Sequence, residues 1–286
     1  MPHPIRLLRA NNPSPLTGPG TNTWLLGRGE VVVVDPGPDL DSHLAGLLAM
    51  TKGERISHIL ITHAHLDHSA LVPRLKAATG AEVLAYGPAD SGRSAIMADL
   101  AREGLTSPEG ADPAFAPDRI LTDGARLTLG PLQIEALHLP GHMGCHLGFA
   151  LGEVLFSGDH VMAWSTSLVS PPDGDMTDYM ASLYRLAARP WTRMLPGHGP
   201  EVVDPAARLS DLIRHRLARE AAIIATLSAH GPATPQALAA RIYTDTPAHL
   251  LPAASRNVLA HLIDLTTRSH ARPAPGPLAT TTFSAL

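Results

Sequence analysis

The 286-residue chain is poor in several residue types, and each scarcity narrows what it can be. It has one cysteine, Cys145, so no internal disulfide can staple it. Aromatic residues make up only 4%, and lysine occurs only as Lys52 and Lys76. A formal charge of −4 leaves no global basic field to draw in nucleic acid. No apolar run is long enough to cross a bilayer, so no transmembrane helix and no membrane partner are expected. The N-terminal Met-Pro-His-Pro-Ile-Arg has no apolar core of a secretion signal, so a cytoplasmic location is expected. What remains is an ordinary globular composition, 44% hydrophobic and 17% charged. The length suits one large domain with a small appendage.

The charge is uneven. Residues 208–272 hold eight Arg against four acids, a net +4, which leaves −8 on the rest. Secondary-structure signals change near the same place. Up to residue 204, short strands and helices alternate. Strands are expected at 21–26, 31–34, 56–61, 82–85, 126–129, 133–138, 147–151, 154–156 and 193–195. Helices are expected at 40–51, 70–79 and 178–188. Residues 11–20 are turn chemistry. Residues 88–118, rich in Gly, Pro and Ala, read as a loop with a short helix, a candidate lid. Beyond Pro205 the periodicity is helical only, over 206–229, 235–242 and 253–267, with Thr234 as an N-cap before Pro235. The divisions are therefore 1–204, 205–272 and a Pro-rich tail, 273–286, expected to be disordered.

The densest chemical signal is His63-Ala64-His65-Leu66-Asp67-His68, directly after the apolar run Ile59-Leu60-Ile61. Neutral imidazole and carboxylate oxygen are both zinc ligands. In an extended segment, side chains at i and i+2 share a face, so His63 and His65 can share one ion. A turn after Leu66 would hand Asp67 and His68 to a second. Two adjacent ions suggest hydrolysis. With 16 histidines in the chain, an isolated His-x-His would be structural more often than not, but four ligand types in six positions at a strand end are different. Three further candidates stand just past short strands: His142 in Leu-Pro-Gly-His, Asp159 in Ser-Gly-Asp and His198 in Leu-Pro-Gly-His. The small residue before each lets the backbone bend sharply.

This set, in this order, resembles the metallo-β-lactamase superfamily over roughly residues 15–204. The resemblance implies an α/β fold, an αββα sandwich with a dinuclear site at the edge of its sheets. It places His63, His65 and His142 on one metal and Asp67, His68 and His198 on the other, with Asp159 bridging. Further motifs resemble the β-lactamase-like protein 2 group with its winged-helix-like tail, expected to be all-α. They are His215-Arg216-x-x-Arg219-Glu220, Asn257-Val258-Leu259-x-His261-Leu262, Gly20-Thr21-Asn22-Thr23 and Asp178-Tyr179-Met180. Ser69-Ala70 stands where many members carry Gly-Gly, and Met143 replaces a common Thr.

Two such ions, about 3.5–4 Å apart, would share a hydroxide as nucleophile, so no Ser or Cys is needed. The expected pair is Zn²⁺; manganese or iron suits the same donors. Asp67 would orient the nucleophile and hold its proton. His146 reads either as a proton donor to the leaving group or as a partner behind the site. Cys145, Tyr179, His58 and His138 read as structural. The expected substrate is an ester, a thioester or a phosphodiester, with β-lactam cleavage a side activity. Single-stranded RNA cleavage is the alternative, opposed by the −8 of the catalytic part. A homodimer is compatible with the sequence. A non-hydrolytic redox protein and a non-catalytic nucleic-acid-binding module are the readings from other classes. The first lacks the flavin domain of such relatives, and the second sits poorly with a complete ligand set.

Overall fold

The computed structural model describes residues 3–286; Met1 and Pro2, the start of the segment expected to carry no secretion signal, lie outside the described residues. The first sheet has six strands in sequence order: β1 (Ile5–Arg9), β2 (Asn22–Leu26), β3 (Glu30–Val34), β4 (Arg55–Leu60), β5 (Glu82–Ala85) and β6 (Arg119–Ile120). β1, β2 and β3 pair antiparallel, and β3 to β6 pair parallel. The second sheet contains β7 (Arg126–Leu129), β8 (Leu132–His138), β9 (Leu147–Leu151), β10 (Val154–Gly158) and β11 (Arg193–Pro196), in the order β11-β10-β9-β8-β7. Only β10 and β11 are parallel there.

Strand alternation sorts the apolar side chains into layers. Leu26, Val32, Val34, Leu60 and Leu84 of the first sheet meet Ile134, Leu147, Phe149 and Phe156 of the second. On the outer face of the first sheet, Leu25, Val31, Val33 and Ile59 pack on Leu47 of α1 (Asp41–Met50) and on Val72 and Leu75 of α3 (Val72–Thr79). A four-residue turn of helix, α2 (Leu66–Ser69), lies between them in sequence. On the outer face of the second sheet, Leu155 and Met194 pack on Tyr179 and Leu183 of α5 (Met176–Ala187) and on Leu209 and Leu212 of α6 (Pro205–His230). The central strands β3, β9 and β10 are buried almost throughout because both faces of the sheets are covered there, whereas β1, β6 and β7 at the edges are partly exposed. Among the described residues, no helix is long and apolar enough to cross a membrane.

Residues 88–118 contain α4 (Ala95–Arg102), capped by the Ser94 hydroxyl. Its Met97 and Leu100 pack against the C-terminal module. That module holds α6, α7 (Pro235–Ile242) and α8 (Leu251–Thr267). It departs from the all-helical expectation. The tail expected to be disordered returns as a two-stranded ribbon, β12 (Ala271–Pro273) with β13 (Phe283–Ala285). The reason is one anchor that the Pro-rich composition hid: Phe283 is fully buried among Leu227, Ala233 and Leu238, and exchanges backbone hydrogen bonds with Ala233. β1 is also absent from the strands expected of the sequence, because Ile5–Arg9 is short, half-exposed and lies at a sheet edge.

Candidate metal centre

The strands deliver the candidate ligands to one edge. β4 leads through Thr62 to His63 and His65, and α2 then supplies the turn that carries Asp67 and His68 round. The segments after β8, β10 and β11 carry His142, Asp159 and His198. The preceding glycines permit the approach. A Cβ on Gly158, at φ +49°, would lie 2.7 Å from His146 Nε2 and from Thr62 Oγ1. A Cβ on Gly197 would run into Asp159 Oδ1 and sit 2.6 Å from His68. No residue with a side chain fits at either place without displacing the site.

All seven candidates converge, in three overlapping groups: His63, His65 and His142; His63, His68 and Asp159; Asp67, His68 and His198. In each group the ligand atoms lie within 4.8 Å of one another. His65 Nδ1 is 3.0 Å from His63 Nε2 and 3.1 Å from His142 Nε2. His198 Nε2 is 3.2 Å from both Asp67 Oδ2 and Asp159 Oδ2, and 3.3 Å from His68 Nε2. Asp159 also reaches His142 at 3.8 Å, so its carboxylate lies between the two ends of the cluster.

The outward nitrogens fix which inward atoms carry lone pairs. His142 Nδ1 donates to Leu168 O at 2.7 Å, leaving Nε2 free to ligate. His68 Nδ1 donates to Asp35 Oδ2 at 2.9 Å. His63 Nδ1 donates to Thr62 Oγ1 at 3.0 Å, and that hydroxyl donates onward to Asp35 Oδ2 at 2.7 Å. Asp35 Oδ1 accepts the Thr62 amide at 2.8 Å. One buried carboxylate therefore orients two imidazoles. In the sequence Asp35 reads as a turn residue; its only signal there is an acid ending an apolar strand. It sits at φ +50°, a strained value for a non-glycine residue that its three hydrogen bonds hold in place.

His63 Nε2 and His142 Nε2 both turn lone pairs on His65 Nδ1, which can donate to only one of them, so lone pairs are left facing one another at about 3 Å, an arrangement that calls for a cation. Asp159 Oδ1 is buried without a hydrogen-bond partner among the described residues, which points the same way. The donor set, imidazole nitrogens and carboxylate oxygens, fits divalent metal ions.

Burial, reinforced by neighbouring imidazoles, pushes His63 well below its ordinary value and His65 down to about 3. Burial opposes charge on His68 and His198 too, but there the acids win. Asp67, Asp159 and Asp35 raise His68 well above its ordinary value, and Asp159 with Asp67 lifts His198 to about 9. Burial alone would raise the Asp67 and Asp159 carboxyls, yet His68 and His198 hold both far below the usual carboxylate range. The cluster is thus polarised: a neutral imidazole end and an ionised end where acids and imidazoles pair.

The remaining candidates fall outside the cluster. His146 is fully buried, stacks on His63 at 5.1 Å and accepts the Asp159 amide at Nε2. That places it behind Asp159, and it does not line the cleft. Cys145 is buried, and burial pushes its thiol up to about 11. Tyr179 is wholly buried, and its hydroxyl donates to His160 O. His138 donates to Gly144 O and stacks on Tyr86, and His58 contacts Ser57 within β4, away from the cluster. The Gly20-Thr21-Asn22 motif has a positional role. Asn22 binds Pro196 O and Gly199 O on either side of His198, and the Thr21 hydroxyl donates to Asp67 at 3.3 Å.

The cluster floors a cleft of about 300 Å³. Pro15, Leu16, Leu66, Met162 and Leu168 form apolar walls, with hydroxyls from Ser14, Thr17, Ser165 and Thr166. Glu109 is the one charged wall residue outside the cluster, and no Lys or Arg lines the cleft among the described residues.

Comparison with known proteins bears on this arrangement. Residues 16–198 match the Metallo-beta-lactamase superfamily, and residues 234–272 match the Beta-lactamase associated winged helix domain. The chain is 32% identical over 262 residues to a beta-lactamase-like protein 2 homolog of Caenorhabditis elegans, covering 89% of this chain and 81% of that one. A metallo-beta-lactamase family protein from Thermus thermophilus superposes with a TM-score of 0.79 at 26% identity, covering 99% of this chain and 98% of the other. A further structure, of a protein in a di-iron-bound form, superposes at 0.52 with 31% identity, covering 71% of this chain and 98% of that one.

Proposed function

The chain belongs to the metallo-beta-lactamase superfamily and is a metallo-hydrolase, and from its cleft we propose that it cleaves an uncharged carboxylic ester or thioester at a two-metal centre. We assign His63, His65 and His142 to one ion, Asp67, His68 and His198 to the other, and Asp159 to both. Zinc suits this nitrogen and oxygen set, and iron is supported by the di-iron form of one relative. When bound, such a pair supplies water activation near neutral pH and polarisation of the scissile carbonyl.

The chain's own residues do the rest. Asp67, at the mouth of the cleft and hydrogen-bonded by Thr21, is placed to orient the attacking water by accepting a hydrogen bond from it as an ionised carboxylate. Leu16, Leu66, Met162 and Leu168 exclude water around an acyl or aryl group. Their neighbouring hydroxyls offer hydrogen bonds without charge.

The observation that carries the substrate class is the wall of this cleft, apolar and hydroxylic with Glu109 as its only added charge. A phosphodiester backbone would meet a carboxylate there and no cation, whereas phosphate contacts dominate nucleic-acid affinity. Cleavage of single-stranded RNA stands as the second reading, favoured by the winged-helix match over 234–272. We further divide the chain at 204/205, where α6 begins, and the lone cysteine suits a cytoplasmic setting.

A side-by-side panel tests this: neutral aryl esters, acyl thioesters, lactones, nitrocefin and end-labelled single-stranded RNA, with metal-loaded protein. Turnover of the esters or thioesters at the highest kcat/KM is expected. RNA cleavage at comparable or higher efficiency would overturn the assignment in favour of the second reading.

A further inference from the structure

The net +4 of residues 208–272 is not used by the chemistry of the cleft. Three of its eight arginines turn inward onto one segment. Arg208 of α6 donates from Nε to Met162 O at 2.7 Å and from Nη2 to Ser165 O at 2.6 Å. Arg216, two turns further along α6, donates to Ser167 O. On α8, Asn257 accepts the Val169 amide at 3.0 Å and an Arg216 Nη1 hydrogen bond at 3.2 Å through the same oxygen. Its neighbour Arg256 binds the Ser170 hydroxyl at 3.0 Å and Pro171 O.

Residues 162–171 contain neither helix nor strand, so their backbone groups need partners from outside. The C-terminal module meets the segment at six points, five of them backbone groups. This segment is also a wall of the cleft, through Met162, Ser165, Thr166 and Leu168. Between the two residues gripped by Arg216 and Asn257 lies Leu168, whose carbonyl receives His142 Nδ1. Arg216 is 1% exposed, and its partners are neutral: two oxygens and the face of Tyr179, 5.0 Å away. A buried cation is costly, and Arg216 Nε has no hydrogen-bond partner among the described residues, so its compensation falls on the Nη1 and Nη2 contacts and the Tyr179 face.

We infer that Arg216 and Asn257, flanked by Arg208 and Arg256, are positioning residues through which the C-terminal module fixes the Leu168 carbonyl, and with it the tautomer and direction of His142. This rests on His142 being a metal ligand. It accounts for two sequence motifs, around Arg216 and Asn257, that the cleft itself does not explain. It also removes Arg208, Arg216 and Arg256 from any nucleic-acid-binding face, since their guanidinium groups are engaged within the chain.

The test uses the full chain, cobalt-substituted, as wild type, Arg216→Met, Arg216→Lys and Asn257→Ala. Arg214→Ala, an exposed change on the same helix, is the control. Cobalt affinity is read by chelator competition, ligand geometry by the visible cobalt spectrum, and the grip itself by Val169 amide exchange in metal-free protein. Loss of an outer hydrogen-bond partner typically lowers metal affinity ~10–100-fold. Arg216→Met and Asn257→Ala are expected to weaken one of two cobalt ions by that much, shift the spectrum and accelerate Val169 exchange. Arg216→Lys should restore part of each, and Arg214→Ala should change none. If Arg216→Met fails to fold, Asn257→Ala carries the test. Two cobalt ions bound by the variants with wild-type affinity and spectrum would overturn the inference. Failure of the wild type to bind cobalt would instead overturn the ligand assignment, and the two failures are told apart because only the second appears in the wild type. Unchanged Val169 exchange would refute the grip in either case.

Discussion

Replacing Asp35 by Asn should cripple metal binding although Asp35 touches no metal. The side chain keeps its shape, and its Oδ1 can still accept the Thr62 amide at 2.8 Å. The other oxygen becomes an NH₂ that faces two donors, the Thr62 hydroxyl at 2.7 Å and His68 Nδ1 at 2.9 Å. Neither contact survives with the present tautomers. His68 then moves its proton to Nε2, the atom aimed at His198 and Asp159, and ceases to be a ligand. Thr62 turns away, and His63 loses the acceptor for its Nδ1 proton. Outer-partner losses typically lower metal affinity by ~10–100-fold, or roughly 1.4–2.7 kcal/mol, and this change strikes two imidazoles, so the upper end is expected. Chelator competition on wild type and Asp35→Asn measures it, with circular dichroism to verify the fold. Affinity within about twofold of wild type, far short of that range, would refute the tautomer reasoning.

Metal-free protein should lose stability as pH rises through the region near 9. His198 is raised to about 9 and His68 is raised well above its ordinary value, so their contribution is complete below about 6.5, the unfolded value, and disappears as they deprotonate in the fold. His65, held down at about 3, acts oppositely and withdraws stability as pH falls below about 6.5. Urea unfolding from pH 5 to 10 reads both limbs, and a flat profile would contradict them. Metal loading at pH 7.5 should release roughly one to two protons from these imidazoles, measured by calorimetry in buffers of differing ionisation enthalpy. Gly197→Ala should abolish loading at the Asp67, His68 and His198 end while leaving the fold intact, because its Cβ enters the space of Asp159 and His68; metal counting with circular dichroism checks both halves. Phe283→Ala should cost about 3–5 kcal/mol of stability, read as a fall in the urea midpoint, because a wholly buried ring anchors the ribbon.

What was legible in the sequence was what depends on local spacing. The buried strands read as apolar runs, and the candidate ligands stood out because small residues precede them at strand ends. What was not legible was long-range. Asp35 acquires its role only through Thr62 and His68, 27 and 33 residues away. His146 reads from its spacing to His142 either as a proton donor or as a partner behind the site, and spacing cannot choose between them; the choice depends on the sharp bend at Gly158, which turns the Asp159 amide onto it. The tail from 273 reads as disordered because it opens Pro-Ala-Pro-Gly-Pro, and one phenylalanine in a hydrophobic pocket outweighs that opening.

The central claim is that imidazoles and carboxylates from four loops hold two ions. Crystals of the metal-loaded protein, measured on both sides of the metal's absorption edge, test it most directly. Two anomalous peaks are expected, one about 2.0–2.2 Å from nitrogens of His63, His65 and His142, and one at that distance from Asp67, His68 and His198, with Asp159 reaching both. A single peak, or peaks away from these side chains, would contradict it.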